Sequence, residues 1–284
     1  MNEIDIRVPD GRTLHAYDTG VSGARNRGTV VFWHHGTPNI GAPPEPLFAD
    51  ADRLGIRWVG YDRPGYGGSS PHPGRDAATS AGDAAAVADA LGIQRFAVMS
   101  HSGGGPHALA CAALLSDRVA AAVVVAGPAP YGAQGLDWFA GMAPAGVASL
   151  MAAVQGRAAK HAYEATAAED DPGFTPEDIA ALRGEWSWFM KVVGPAVAAG
   201  PGGLIDDDLA TVGPWGFDLA RVWAPTVILH GGRDRVVPCA HGEWLARHCP
   251  TASLWPRPDD GHLSVLSAAP GALEWLCDTA TEIG

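Results

Sequence analysis

The sequence predicts an α/β protein with a mostly parallel, eight-stranded sheet flanked by helices and interrupted by a helical insertion. Eight runs of strand length, apolar or alternating, occur along the 284 residues, and helix-length segments separate most of them. Strands that alternate with helices favour a parallel sheet covered on both faces. The strand pattern is lost over residues 131–213, which predicts the insertion.

Each element follows from its local pattern. Two alternating runs at 3–8 and 12–19 flank Pro9-Asp10-Gly11, which predicts a hairpin at a sheet edge. The Gly92 stop signal ends an alanine-rich helix, and the missing N–H of Pro106 favours a helix start. The further strands are expected at 28–33, 57–61, 95–99, 119–126, 224–230 and 252–255, and helices at 46–54, 74–91, 106–115, 240–248 and 263–281, the last interrupted by Pro270.

Charge and composition exclude several classes of protein. The chain has 19 Lys and Arg against 31 Asp and Glu, a net charge of −12, and no basic block, which argues against a nucleic-acid partner. The amino terminus is charged rather than apolar, and Gly and Pro interrupt every apolar run before it reaches membrane-spanning length. We therefore expect a cytoplasmic protein with a small-molecule substrate and no membrane segment. Homo-oligomerisation is left open.

The four cysteines predict free thiols. Cys111, Cys239, Cys249 and Cys277 form no CxxC pair and are too sparse for a disulfide scaffold. A pairing of Cys239 with Cys249 across one helix-sized segment is left open.

A strand-to-helix turn at Met99-Ser100-His101-Ser102-Gly103-Gly104-Gly105 has the features of a nucleophile turn. Such a tight turn needs small residues two positions either side of the nucleophile, and Ser100 and Gly104 meet that condition for Ser102. A frame centred on Ser100 would place Val98 in a small-residue position. Ser102 is therefore the candidate, with a simple serine-glycine linker as the structural alternative.

Chemically matched groups follow other predicted strands. A serine nucleophile needs a base and an orienting acid, and Asp234 and His262 each follow a core strand, so the parallel sheet brings them to the same edge as Ser102. The N–H groups of Thr37 and Gly103 are candidate oxyanion donors there, and the Thr37 hydroxyl is a further one. Rival bases are His101, His107, His230 and His241, and rival acids are Asp259 and Asp260.

Five motifs in the right order resemble the α/β-hydrolase fold, in its single-domain, capped serine-hydrolase form. They are His35-Gly36-Thr37-Pro38, Asp62-Arg63-Pro64-Gly65-Tyr66-Gly67-Gly68-Ser69, Ser100-His101-Ser102-Gly103-Gly104, Gly231-Gly232-Arg233-Asp234-Arg235-Val236-Val237-Pro238 and Gly261-His262. The chain order Ser, Asp, His is also that of this fold. The resemblance implies that Ser102 is the nucleophile, His262 the base and then the acid, Asp234 the orienting group, and Thr37 with Gly103 the oxyanion donors.

The resemblance also implies a helical cap, which agrees with the loss of the strand pattern. We expect a core at 1–130 and 214–284 and a cap at 131–213. Most aromatic residues of the insertion are expected in its own core, with Trp138, Phe139 and Trp186 as candidates for the substrate pocket. The acidic groups Glu169-Asp170-Asp171 and Asp206-Asp207-Asp208 are expected to be solvated helix ends rather than metal ligands. No cofactor or metal is predicted.

Ser102 excludes the relatives that use an aspartate nucleophile, the haloalkane dehalogenases and epoxide hydrolases. The leading prediction is a serine hydrolase that cleaves a small, largely apolar carboxylic ester through an acyl-enzyme. The alternative reactions are those of a proline-iminopeptidase-like aminopeptidase or amidase and of a carbon–carbon bond hydrolase. In the peptidase interpretation, Glu164, Glu185 or Asp207 would bind the substrate amine. A ligand receptor and a non-hydrolytic biosynthetic enzyme are the remaining alternatives.

Overall fold

The computed structural model describes residues 1–20, 28–167 and 171–282, and it confirms the predicted sheet. Eight strands lie in the order β1-β2-β4-β3-β5-β6-β7-β8. β1 pairs antiparallel with β2 and β2 with β4, and the remaining pairs are parallel. The strands are β1 (Asn2–Arg7), β2 (Thr13–Asp18), β3 (Thr29–His34), β4 (Ile56–Tyr61), β5 (Phe96–His101), β6 (Val119–Val125), β7 (Thr226–Gly231) and β8 (Ala252–Arg257).

Helices connect the parallel strands. They are α1 (Phe48–Leu54), α2 (Thr79–Ala90), α3 (Gly105–Leu114), α4 (Pro144–Val154), α5 (Arg157–Glu164), α6 (Pro176–Arg183), α7 (Phe189–Val197), α8 (Gly202–Val212), α9 (Cys239–His248) and α10 (Ala269–Glu282). None of the described helices has the length and apolar character needed to cross a membrane.

Two predicted helix boundaries were wrong. Helix α2 begins at Thr79 rather than at 74, and the Asp76 carboxylate in the preceding turn accepts a hydrogen bond from the Thr79 N–H at 2.9 Å. The last helix does not run unbroken from 263: a 3₁₀ turn over Ser264–Ala268 precedes α10. Pro270 lies in the first turn of α10, where a missing N–H is tolerated, so it marks a helix start rather than an interruption.

Apolar clusters cover both faces of the sheet. One contains Leu109 of α3 and Leu245 of α9, and the other contains Leu54 of α1 and Leu273 of α10. Strands β3, β5, β6 and β7 are buried along their whole length, as expected for parallel strands covered by helices on both sides.

Helices α4 to α8 all lie between β6 and β7, where the sequence predicts the insertion. Trp188 of this segment packs edge-on against Trp33 of β3, with ring centroids 6.4 Å apart, so the insertion shares apolar contacts with the core. The division into a core and a cap at residues 131 and 213 stays a prediction. Glu169 and Asp170 lie outside the described residues.

Candidate active site

The turn after β5 has the geometry predicted for a nucleophile. Ser102 has a φ of 53°, a left-handed conformation that is strained for any residue except glycine. A 3₁₀ turn over Ser102–Gly104 then leads directly into α3. A Cβ on Gly104 would lie 2.1 Å from the carbonyl oxygen of His34, so only glycine allows the two loops to approach this closely. The turn places Ser102 at the carboxyl edge of the sheet.

Two hydrogen bonds connect the three residues predicted to form the triad. His262 Nε2 lies 2.9 Å from Ser102 Oγ, and His262 Nδ1 lies 2.8 Å from Asp234 Oδ2. Because an ionised carboxylate only accepts, Nδ1 carries the proton, and Nε2 is free to accept a hydrogen bond from the Ser102 hydroxyl. Loops after β7 and β8 bring Asp234 and His262 to the edge that carries Ser102.

Asp234 remains ionised despite its burial. Burial alone raises the pKa of Asp234, but the His262 imidazole, which also donates a hydrogen bond, and the neighbouring His230 ring outweigh the effect of burial, and the net pKa lies below the usual value. Its Oδ1 accepts the N–H groups of Val236 and Val237, both at 2.8 Å. The carboxylate is thus held by its own loop while its other oxygen faces His262.

The rival bases have partners elsewhere. His107 Nδ1 lies 2.7 Å from Ser80 Oγ, and His241 hydrogen-bonds the backbone of Ala129 and Trp138. His230 Nε2 lies 2.8 Å from the carbonyl oxygen of Val237 and 3.6 Å from Asp234, behind the triad rather than in it.

His101 donates its Nε2–H to the carbonyl oxygen of His262 at 3.0 Å. Burial, reinforced by nearby His262, lowers the pKa of His101 to about 3, so its ring is neutral. The rival acids are also occupied: Asp259 pairs with Arg233 and Asp260 with Arg257 at the protein surface.

Thr37 and Gly103 are neighbours, as the oxyanion prediction requires. A Cβ on Gly103 would lie 2.4 Å from Thr37 Oγ1 and 3.4 Å from Thr37 N. In the described part of the chain, neither backbone N–H has a hydrogen-bond partner. The Thr37 hydroxyl is not a further donor, because it donates to Asp207 Oδ2 at 2.6 Å.

The prediction that Asp206-Asp207-Asp208 is a solvated helix end was wrong. Asp207 is 1% exposed, and its carboxylate accepts hydrogen bonds from Thr37, Arg63, Tyr66 and Arg75. Burial raises the pKa of Asp207, but the two guanidinium groups outweigh it and hold the pKa well below the usual value. Helix α8 thus directs Asp207 toward the core, and Asp206 and Asp208 toward α5.

The two flanking acids pair with α5. Asp206 contacts Arg157, and Asp208 lies 2.6 Å from Nζ of Lys160, which is fully buried. Sequence reasoning missed these two pairs.

It also missed the pairing of Asp207 with Arg63, although Arg63 within a glycine-rich loop was a signal, because a buried guanidinium needs an acid. Arg63 also donates to the carbonyl oxygens of His35 and Gly36, so Asp207 connects α8 to the loop that carries Thr37.

A pocket of about 560 Å³ opens at Ser102 and His262. Most of its remaining wall is apolar, and α6 and α7 supply Leu182, Phe189 and Met190. No Lys, Arg, Asp or Glu lies among its lining residues in the described part of the chain.

The three aromatic residues predicted for substrate binding do not line this pocket. Trp138 donates its Nε1–H to the carbonyl oxygen of Ala129 at 2.8 Å, and Phe139 packs edge-on against Trp138 at 5.0 Å between ring centroids. Trp186 is 2% exposed and packs against Phe189, whose ring does line the pocket. An aromatic side chain in the insertion can either pack in its interior or line the pocket, and the sequence pattern does not distinguish the two.

Comparison with known proteins agrees with this architecture. The family model described as the alpha/beta hydrolase fold matches residues 29–269. A 2-hydroxy-6-oxononadienedioate/2-hydroxy-6-oxononatrienedioate hydrolase from Cupriavidus pinatubonensis is 28% identical over 88% of this chain and 85% of its own length. A non-heme chloroperoxidase from Streptomyces lividans is 31% identical over 83% of each chain.

A solved structure of a thermophilic esterase from Thermogutta terrifontis superposes with a TM-score of 0.71 at 23% identity, over 99% of this chain and 100% of that one. The family match spans most of the chain, including the turn at Ser102 and the loops of Asp234 and His262. The protein therefore belongs to the α/β-hydrolase fold family.

Proposed function

We propose that the protein is a serine hydrolase that cleaves small, neutral, largely apolar carboxylic esters through an acyl-enzyme. The observation that carries this proposal is the continuous hydrogen-bonded path from Asp234 through His262 to Ser102 Oγ, which ends at an apolar pocket. A serine hydroxyl becomes a competent nucleophile when a base is in contact with it and an acid orients that base.

In the proposed reaction, Ser102 Oγ attacks the ester carbonyl carbon while His262 Nε2 takes the hydroxyl proton. The backbone N–H groups of Thr37 and Gly103 stabilise the oxyanion that forms. His262 returns the proton to the departing alkoxide, which leaves an acyl group on Ser102. A water molecule then attacks this acyl group while His262 takes a proton from the water. The bond between the acyl carbon and Ser102 Oγ breaks, His262 returns the proton to Oγ, and the carboxylic acid is released.

The absence of charge in the described pocket lining supports a neutral substrate. An aminopeptidase needs an acid for the substrate amine, yet the three candidates lie elsewhere. Glu164 pairs with Lys160, Asp207 is enclosed by arginines, and Glu185 lies on the surface. The proline-iminopeptidase alternative therefore loses its supporting residues.

Carbon–carbon bond hydrolysis is the second candidate, because of the 28% identical relative from Cupriavidus pinatubonensis. The name of that relative's substrate denotes a dicarboxylate. A dicarboxylate favours cationic partners, and the described lining residues include no Lys or Arg. The neutral pocket thus supports ester hydrolysis over cleavage of such a substrate.

A substrate panel tests the proposal. Matched esters, lactones, peptides and diketones are assayed with the wild type, with Ser102→Ala as the blank and with Ser100→Ala as a control for loss of a serine in the same turn. We expect turnover of short neutral esters by the wild type and Ser100→Ala, and no turnover by Ser102→Ala above the rate of the reaction without enzyme.

Other outcomes identify the alternatives. Preferential diketone cleavage would establish carbon–carbon hydrolysis, and product analysis would reveal lyase or cyclase chemistry. No turnover across the panel, together with a thermal shift by one small ligand, would establish a receptor. Ester turnover by Ser102→Ala at the wild-type rate would refute the mechanism.

A further inference from the structure

A buried carboxylate from the insertion meets the loop that carries His262. Asp178 of α6 is fully buried, and in the described residues it has no Lys or Arg partner. Its two oxygens accept hydrogen bonds from the backbone N–H of Thr175 (2.9 Å), His262 (3.1 Å), Leu263 (2.8 Å) and Ser264 (2.7 Å), and from Ser264 Oγ (2.8 Å).

The loop is built around this carboxylate. The three consecutive N–H groups of residues 262–264 open the 3₁₀ turn over Ser264–Ala268, and such N–H groups have no partner within their own turn. An anion is favoured at this position, and α6 supplies it. A Cβ on Gly261 would lie 2.2 Å from Asp178 Oδ2, so glycine at 261 is what lets the loop close over the acid.

Asp178 remains charged there. Burial raises the pKa of Asp178, but the hydrogen bonds from Ser264, Thr175 and Leu263 outweigh it, and the net pKa lies below the usual value. The two oxygens of an ionised carboxylate accept all of these bonds together, whereas an amide would turn an NH₂ group toward N–H donors.

These contacts bear on the reacting geometry. The His262 ring contacts Ser102 and Asp234 at once, at 2.9 and 2.8 Å, and it has only two side-chain torsions with which to do so. The position of its backbone therefore decides whether both contacts form. Asp178 holds the N–H of His262, and His101 holds its carbonyl oxygen, so the backbone is fixed on both sides.

We propose that Asp178 is a positioning residue, which sets the backbone of His262 so that its imidazole reaches Ser102 and Asp234 together. The insertion then completes the catalytic geometry in addition to lining the pocket. This inference rests on the proposed serine-hydrolase function.

The test compares Asp178→Asn with Glu177→Gln, which removes an acid from the adjacent, exposed position of the same helix. Both are assayed with a short p-nitrophenyl ester, below the thermal transition of each variant. A displacement of the base by a fraction of an ångström to 1 Å is expected to lower kcat about 10- to 100-fold in Asp178→Asn. KM should stay within about threefold of the wild type, because Asp178 does not line the pocket. Glu177→Gln should match the wild type in both.

Proton NMR supplies a readout that does not require turnover. The Nδ1 proton shared by His262 and Asp234 is expected to shift or broaden in Asp178→Asn and to be unchanged in Glu177→Gln. If Asp178→Asn does not fold, Ser264→Ala takes its place, since it removes one donor to Asp178 and the acceptor of the Gly261 N–H. We expect that variant to lose kcat about 3- to 10-fold.

A folded Asp178→Asn variant with wild-type kcat and an unchanged signal of the Nδ1 proton overturns the inference. If Asp178→Asn does not fold, a wild-type kcat in Ser264→Ala overturns it. A selective rise in KM also overturns it, because that would indicate a binding role. Failure of the proposed function is a separate result: the wild type then hydrolyses no ester, while the NMR comparison still decides whether Asp178 positions His262.

Discussion

Replacing Asp207 with Asn tests whether one buried carboxylate connects α8 to the loop beside the candidate nucleophile. The substitution leaves the guanidinium groups of Arg63 and Arg75, each 1% exposed, without their anionic partner. Removal of one member of a buried ion pair typically costs about 3–5 kcal/mol, because a charge remains in a poorly solvated site. We therefore expect Asp207→Asn to lower the free energy of unfolding by about that amount.

The matched control is an exposed ion pair that also connects the core to the insertion. Lys191 of α7 contacts Glu45 at 2.6 Å, with the two side chains 67% and 44% exposed. Such pairs contribute about 0–1 kcal/mol, so Glu45→Gln should be nearly neutral. Urea denaturation at pH 7, followed by circular dichroism, measures both. A loss below about 1 kcal/mol in Asp207→Asn, or an equal loss in Glu45→Gln, would refute the reasoning.

Three further predictions follow from buried groups. Burial lowers the pKa of His34 and His101 to about 3, whereas the pKa of histidine in the unfolded chain is about 6.5. The free energy of unfolding is therefore highest above pH ~6.5 and falls below that pH, by about 2 kcal/mol per histidine at pH 5. Equal free energies of unfolding from urea titrations at pH 5 and pH 7.5 would contradict this prediction. Gly104→Ala should abolish soluble folded protein, because the added Cβ would meet the backbone of His34. Gly82→Ala, at an open position of a helix, should be neutral or stabilise the protein by up to ~1 kcal/mol. Equal melting temperatures of the two variants would count against the packing argument. Trp138→Phe removes one buried hydrogen bond and should cost about 1 kcal/mol with an unchanged ester KM, and a KM increase of tenfold would place Trp138 in the binding site.

The sheet and the turn at Ser102 were predictable because their signals are local. Apolar runs of strand length mark β3 and β5, and small residues around Ser102 mark the tight turn. The edge of a parallel sheet then brings Asp234 and His262 to the same place without further information. The structure joins these three side chains by hydrogen bonds, and their catalytic roles stay a proposal.

The surroundings of the site were not predictable in the same way. Three consecutive acids in α8 resemble a solvated run, and only the docking of the helix shows that Asp207 faces two arginines and Asp208 faces Lys160. The sequence around Asp178 indicates only a helix start, because the partners that relate it to the site, His262 and Leu263, lie more than eighty residues away. Burial that depends on how an insertion packs is a long-range property, and periodicity reports only on the local chain.

The most direct test of the central claim is to map the site of covalent modification by a fluorophosphonate probe, using mass spectrometry of the intact protein and of its peptides. We expect one probe per chain, attached to Ser102, in the wild type and in Ser100→Ala, and no adduct in Ser102→Ala. His262→Ala should be labelled far more slowly, because the hydroxyl loses its base. An adduct on another residue, or labelling of Ser102→Ala at the wild-type rate, would contradict the claim that Ser102 is the activated nucleophile.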